Sequence, residues 1–264
     1  MLYDGFLSPQ VFANLLIDNA FLCIAAVGMT FVILSGGIDL SVGAVIAFTT
    51  VLSASLVQRH GWSPLAAIPL VLLLGVLFGA FMGTLIQRYR LQPFVVTLAG
   101  MFLARGASYL ISVDSIPIDD ALYVAIAQFR VPIGAGASLS IGALIALATV
   151  ALGMWLAHCT RFGRCVYALG GSEASARLMG LPVAATQVKV YAFSGFCSAL
   201  AGVVCTFYML SGYSLHALGL ELDAIAAVVI GGTLLAGGSG YVIGTLFGVL
   251  ILGVIQTLIV FDGT

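Results

Sequence analysis

Two glycines, a carboxylate and a hydroxyl stand close together in Ser35-Gly-Gly-Ile-Asp-Leu-Ser-Val-Gly43, in the middle of a long and otherwise apolar stretch. Gly36 and Gly37 permit a broken helix or a close approach of backbone to something else. An ionised Asp costs roughly 2.5–3.5 kcal/mol at the centre of a membrane helix on insertion scales, so Asp39 is expected to face an interior or an interface. In one reading 35–43 is a plain turn whose Asp39 carboxylate caps the next helix. In the other it is a re-entrant break with Asp39 and Ser41 lining a pathway, since irregular backbone at membrane depth needs protein or water to satisfy it. The two readings are compatible.

A second stretch, Glu221 to Gly240, repeats the pattern of apolar run, double glycine, short break and apolar run, with Gly231, Gly232, Gly237 and Gly238 at the interruptions. Paired glycine-interrupted segments point to a translocation pathway, and glycine at this density also serves close helix packing. Arg105 lies near the middle of the apolar run 93–112. It could contact a polar substrate, pair with Asp39 or another acid, or bind backbone carbonyls, and structural pairing is the expected role. Asn14, Asp18 and Asn19 form a further polar cluster near the outer end of the first apolar run.

The segment 159–187 carries a different chemistry. Glu173-Ala-Ser-Ala-Arg-Leu-Met-Gly-Leu181 reads as a short helix with Ser172 at its N-cap, ended by Gly180 and Pro182. Glu173 and Arg177 are an i,i+4 pair, while Leu178, Met179 and Leu181 would be exposed without a partner. Such knobs fit docking to another protein; a solvated loop is the alternative.

Several chemistries are excluded. Leu34-Ser35-Gly36-Gly37 matches the opening of the LSGGQ signature of ABC ATPases, but the chain has no GxxxxGK[ST] phosphate loop and is not expected to bind ATP. Gly238-Ser-Gly240 lacks the βαβ context of a dinucleotide fingerprint. Cys23, Cys159, Cys165, Cys197 and Cys205 show no metal-ligand spacing, and His60, His158 and His216 are far apart, so no metal is expected. No basic stripe supports nucleic-acid binding. No nucleophile–base constellation at membrane depth supports an intramembrane enzyme.

The elements that must hold these residues follow from composition. The chain is 62% hydrophobic and 7% charged, against about 25% charged in a soluble domain, so its excess apolar surface must face lipid. About 20 apolar residues cross the hydrocarbon core, and such runs fall near 13–34, 40–57, 65–86, 93–112, 138–158, 188–210, 222–236 and 241–260, the seventh being short. Turn chemistry separates them at Gly36-Gly37, Gly61 to Pro64, Gln92-Pro93, Pro132 to Gly136 and Gly237 to Gly240. The prediction is an all-α, polytopic helical bundle forming a single transmembrane domain over 1–264, with about eight spans.

Arg88, Arg90, Arg161, Arg164, Arg177 and Lys189 fall on one side of this arrangement, and Arg59 and Arg130 on the other. The positive-inside bias therefore makes 159–187 cytoplasmic. The outer segments collect Asp114, Asp119, Asp120, Glu221 and Asp262, and 113–137 is long enough for a short interfacial helix. Both ends then lie outside, and Met1-Leu-Tyr-Asp-Gly-Phe reads as a loop rather than a signal peptide.

The combination resembles the ribose-type ABC sugar permeases over essentially the whole chain. The run Ala26-Val-Gly-Met-Thr-Phe-Val-Ile-Leu-Ser-Gly-Gly-Ile-Asp-Leu-Ser-Val-Gly43 looks like the family hallmark, as do Gly170 to Gly180 and Glu221 to Gly240. Asp18-Asn19-Ala-Phe, Ser115-Ile-Pro-Ile118 and Phe261-Asp-Gly-Thr264 are most similar to permeases of galactofuranose importers. The resemblance implies a second permease subunit, identical or not, a cytoplasmic ATPase that binds ATP and Mg, and a periplasmic sugar-binding protein, at a bacterial inner membrane. It makes Glu173 to Leu181 a coupling helix against that ATPase; Ser172 stands where the family usually has Asn. Family members generally have ten spans, so a helix is expected to be missing at each end. A proton-coupled carrier is the rival reading, with only Asp39 and Asp223 to carry protons, and a branched-chain amino-acid permease is the rival within the superfamily.

Overall fold

The computed structural model describes residues 9–134 and 137–262. The opening Met1 to Phe6, part of the Pro132 to Gly136 break, and Gly263 and Thr264 lie outside the described residues. In chain order the elements are α1 (Pro9–Asp18), α2 (Ala20–Leu34), α3 (Val42–Ala54) continued by a π-helical turn (Ser55–Arg59), α4 (Pro64–Tyr89), α5 (Pro93–Ile111), β1 (Ile116–Pro117), α6 (Ala121–Gln128), β2 (Arg130–Gly134), β3 (Ala137–Ser140), α7 (Ile141–Cys159), α8 (Arg161–Gly171), α9 (Glu173–Leu178), α10 (Val183–Met209), β4 (Ser211–Gly212), α11 (Leu220–Ile230) and α12 (Val242–Asp262).

Six helices among the described residues are long and apolar enough to cross a membrane, and α1 with α2, bent by 61° about Asn19, make a seventh together. The run 222–236, expected as a span, is not one. Its helix α11 has 11 residues, which at 1.5 Å per residue is about 16 Å, and Gly231-Gly232 ends it. The segment 211–240 nevertheless passes from one end of the bundle to the other. At one end β4 pairs antiparallel with β1, Ile116 opposite Gly212. At the other the Gly238 N–H donates to the Leu34 carbonyl at 2.9 Å.

The chemistry of the two ends matches the charge asymmetry. Gln87, Arg90, Glu173, Arg177 and Gln187 line one cavity, so 87–92 and 159–187 share an end. At the opposite end Arg59 donates to the Ile111 carbonyl and to Ser112 Oγ, and Gln58 meets Asp119. The interfacial helix expected in 113–137 is α6: Asp120 accepts the Leu122 N–H at 2.9 Å, and buried Tyr123 shares a 2.8 Å hydrogen bond with Ser53. The hairpin β2–β3 was not expected. It takes up the first residues of the run read as 138–158, and Ser140 caps α7 by accepting the Ala143 N–H.

The core is α2, whose residues from Leu22 to Leu34 are all buried, packed among α7, α10, α11 and α12. A helix apolar all round belongs inside a bundle. Thr30 of α2 satisfies its hydroxyl on the Ala26 carbonyl and on Thr245 of α12, both at 2.7 Å. The α4–α10 pair is joined differently. Gly75, Gly79 and Gly83, one per turn of α4, meet α10 so closely that a Cβ on Gly79 would overlap the Tyr191 carbonyl, and one on Gly195 the Gly75 carbonyl. Van der Waals contact of small residues is what holds helices together where lipid offers no hydrophobic driving force.

Overpacking a tight contact typically costs about 1–3 kcal/mol and sometimes more. Gly79→Leu is therefore expected to sit at or above the top of that range, because the displaced atoms are backbone. Thermal unfolding of the purified variant in detergent should show a clearly lower midpoint than wild type; an unchanged midpoint would disprove the close contact.

Candidate functional site

The first glycine break begins where α2 stops. Gly36 takes a left-handed conformation at φ +83°, and the chain leaves the helix axis before α3 begins at Val42. Asp39, 3% exposed, sits in this turn. Its Oδ1 accepts the Ser41 N–H at 3.0 Å and the Ser41 hydroxyl at 2.6 Å, and its Oδ2 accepts the Ser194 hydroxyl of α10 at 2.7 Å. Asp39 thus orders the entry to α3, as a capping residue would, and also ties the break to the α4–α10 pair. Ser41 spends its hydroxyl on Asp39. Neither residue is among those lining the adjoining cavity, which Ser35, Gly36 and Gly37 do line.

The second break meets the first. The Leu34 carbonyl, left over at the end of α2, accepts the Gly238 N–H, and Gly170 of α8 is pressed against both. A Cβ on Gly170 would overlap the Leu34 carbonyl and come within 2.5 Å of the Gly238 nitrogen, while one on Gly237 would come within 2.8 Å of the Gly36 nitrogen. Tyr167 of α8 donates to the Gly240 carbonyl at 2.7 Å. Gly231 ends α11 against the backbone of α12 at Gly244, and Gly232 turns away at φ +89°. Three of the sequence-selected glycines, Gly36, Gly237 and Gly238, are therefore brought together, with α8 as the third party; Gly37 faces Tyr191 of α10 instead, and Gly231 and Gly232 lie on the α12 side.

Next to this junction, a cavity of about 600 Å³ is lined by Gly36, Gly37, Arg90, Glu173, Arg177 and Tyr191 among others. The short helix expected at Glu173 is present as α9. Ser172 accepts the Ser175 N–H at 3.2 Å, Glu173 and Arg177 pair at 2.6 Å, and Gly180 turns the chain at φ +72° before Pro182. Leu178 is 90% and Met179 66% exposed. One face of α9 thus meets the cavity and the glycine break, and its end presents bare apolar side chains.

Arg105 answers to the third of its sequence-based readings. Its Nη1 donates to the Ser214 carbonyl at 2.6 Å and the His216 carbonyl at 3.0 Å, and it forms no ion pair with Asp39. The carbonyls belong to the irregular segment 213–219, which enters the bundle ahead of α11. Glu221, expected in an outer segment, lies deeper: a Cβ on Gly43 at the start of α3 would overlap its carboxylate. Ser214 Oγ, His216 Nδ1 and Glu221 Oε2 are buried with no hydrogen-bond partner among the described residues. Ser214 and His216 carried no signal in the sequence, because their depth depends on where Arg105 holds the backbone.

Spanning helices around two broken segments, with a short helix seated beside the breaks, define a polytopic membrane permease. The chain belongs to the family described as branched-chain amino acid transport system / permease component, which it matches over residues 11–262. It is 55% identical over 262 residues to the inner membrane ABC transporter permease protein YjfF of Escherichia coli K12, covering 99% of this chain and 79% of that protein. It is 42% identical to the fructose import permease protein FruG of Bifidobacterium longum, covering 97% and 77%. With the ribose import permease protein RbsC of Haemophilus influenzae it shares 42% identity over 96% and 78%. No solved structure matches the chain.

A hydrogen bond from a charged donor contributes about 1.5–3 kcal/mol. Arg105→Leu removes the donor to both loop carbonyls, so segment 213–219 should open at least tenfold more often. Hydrogen–deuterium exchange of its amides checks this, and unchanged protection would mean that the loop is held by something else.

Proposed function

We propose that the chain is the membrane subunit through which an ATP-driven importer passes a monosaccharide across the bacterial inner membrane. The observation that carries this is the three-way junction at Leu34, Gly170 and Gly238, where both glycine breaks meet the segment leading into α9. A displacement of α9 that carries Gly170 with it cannot leave the breaks unmoved, because Gly170 is in backbone contact with both. In this reading 159–187 is the cytoplasmic coupling loop, α9 seats in a groove of a cytoplasmic ATPase, and Leu178 and Met179 fill that groove. Energy enters there because the chain itself has no phosphate loop; ATP and Mg belong to the ATPase.

Gly36, Gly37, Gly237 and Gly238 act as the gate, Asp39 and Ser41 as its fastening to α10, and Gly231, Gly232 and Arg105 as supports of the second broken segment. A second permease subunit, identical or different, completes the pore, and a periplasmic sugar-binding protein delivers the cargo. The family description names branched-chain amino acids, whereas relatives that share 42% identity are named for fructose and ribose import, and this favours a sugar. Within the sugars, a ribose-like or galactofuranose-like furanose is the cargo proposed.

The complete importer in proteoliposomes should take up its sugar only with ATP and binding protein present. Arg177→Glu should reduce binding-protein-stimulated ATP hydrolysis to the basal rate while the chain still inserts and purifies normally. Stimulation equal to wild type would remove α9 from the coupling role, and uptake that persists without the ATPase would point to the secondary-carrier alternative.

A further inference from the structure

A second cavity, of about 400 Å³, lies among the α1–α2 bend, the start of α11 and the middle of α12. Its wall carries Asp18, Asn19, Asp223, Gln256 and Thr257, together with the ring of Phe21. We infer that this groove is a wall of the transport path, and that it hydrogen-bonds a polyhydroxylated cargo in transit. The inference rests on the permease reading and gives that reading a binding site.

Depth is the first ground. Gly240 and Leu34 mark the arginine-rich end through their bonds to Tyr167 and Gly238. Counting 1.5 Å per residue, Gln256 stands about 21 Å along α12 from Val242, and Asn19 about 22 Å along α2 from Leu34. With that end taken as the edge of a hydrocarbon core about 30 Å thick, both stand about two thirds of the way across it. Two carboxylates and two carboxamides at that depth face water, a partner or cargo rather than lipid.

The helix faces are the second ground. Gly253, Gln256 and Thr257, at i, i+3 and i+4, share the face of α12 that turns toward the cavity. Phe247, Ile251, Ile255 and Leu258 are exposed on the other face, as a lipid-facing stripe would be. A helix with an apolar outer face and a polar inner one lines a wet space.

Chemistry is the third. Asn19 is 8% exposed and spends its amide N–H on the Leu15 carbonyl; no described residue donates to its carbonyl oxygen. Asp18 accepts the Tyr208 hydroxyl on Oδ1 alone, and neither Asp223 nor Gln256 has a side-chain hydrogen bond to another described residue. The groove therefore offers acceptors and amide donors that the described residues do not use. Polar groups beside an aromatic side chain suit what a sugar presents: hydroxyls at its edge and C–H groups on its face. The volume lies within the range of small-ligand sites.

The test uses the complete importer carrying either Thr257→Cys or Ile251→Cys, treated with a charged, membrane-impermeant thiosulfonate and read site by site by mass spectrometry. The thiol introduced by Thr257→Cys should react at least tenfold faster than the one introduced by Ile251→Cys. The sugar that the wild-type complex imports should slow the faster reaction at least threefold at millimolar concentration. Equal reactivity at the two sites would place the groove in lipid or under the second permease and overturn the inference, as would fast reaction indifferent to sugar. Asp223→Asn, which keeps the shape, should lower uptake at least tenfold while stimulated ATP hydrolysis persists; unaltered uptake overturns it too. A wild-type complex that imports no sugar would instead count against the proposed function, and the reactivity ratio would still decide whether the groove is wet.

Discussion

A helix that stops within a helical bundle leaves backbone carbonyls that neither its own turns nor lipid can satisfy. At the end of α2 the Leu34 carbonyl is answered by the Gly238 N–H, the two chains approaching so closely that α8 fits beside them only through Gly170. The rest of the site depends on this contact. It fixes where the first break turns, keeps the second break at the same level, and α9, following α8, stands at the cavity lined by Gly36 and Gly37. Arg105 solves the same problem elsewhere in the bundle, where the carbonyls of Ser214 and His216 have no strand or helix to bond them.

Around these irregular pieces stands a scaffold of the opposite character. The α4–α10 pair packs backbone against backbone through glycines, and α2 is apolar on every side. Asp39 joins the two kinds of structure. Buried and fully hydrogen-bonded, it gives one oxygen to the turn before α3 and the other to Ser194 of α10. A carboxylate so placed would be costly unpaired; with three donors it is a fastener.

Much of this was legible in the sequence because the membrane enforces simple rules. The long apolar runs gave the spanning helices, the arginines gave the two ends, and Ser172, Glu173, Arg177 and Gly180 gave α9 with its cap, pair and stop. Both glycine breaks could be located, though not their meeting, since contact between residues about two hundred positions apart has no local trace. The run 222–236 misled because apolar length does not distinguish a spanning helix from a half-helix with its flanking turn; Gly231-Gly232 was the available signal. Glu221 misled for a related reason: an acid ahead of an apolar run reads as external unless the preceding segment dips inward, and that dip is set by Arg105. The polar groove at Asp18, Asn19 and Asp223 was visible only in part, since Gln256 and Thr257 join it through the packing of α12.

The glycine seam between α4 and α10 also has a mechanical consequence. Two helices in backbone contact at Gly75, Gly79 and Gly195 have few side chains between them that can slide or change rotamer, so the pair is stiff along this seam. Such a pair is built to move as one lever. α10 begins at Val183, joined to α9 by the short turn from Met179 to Pro182, so a displacement of α9 would act on the near end of that lever. The compliant joints are left to the glycine turns at its side.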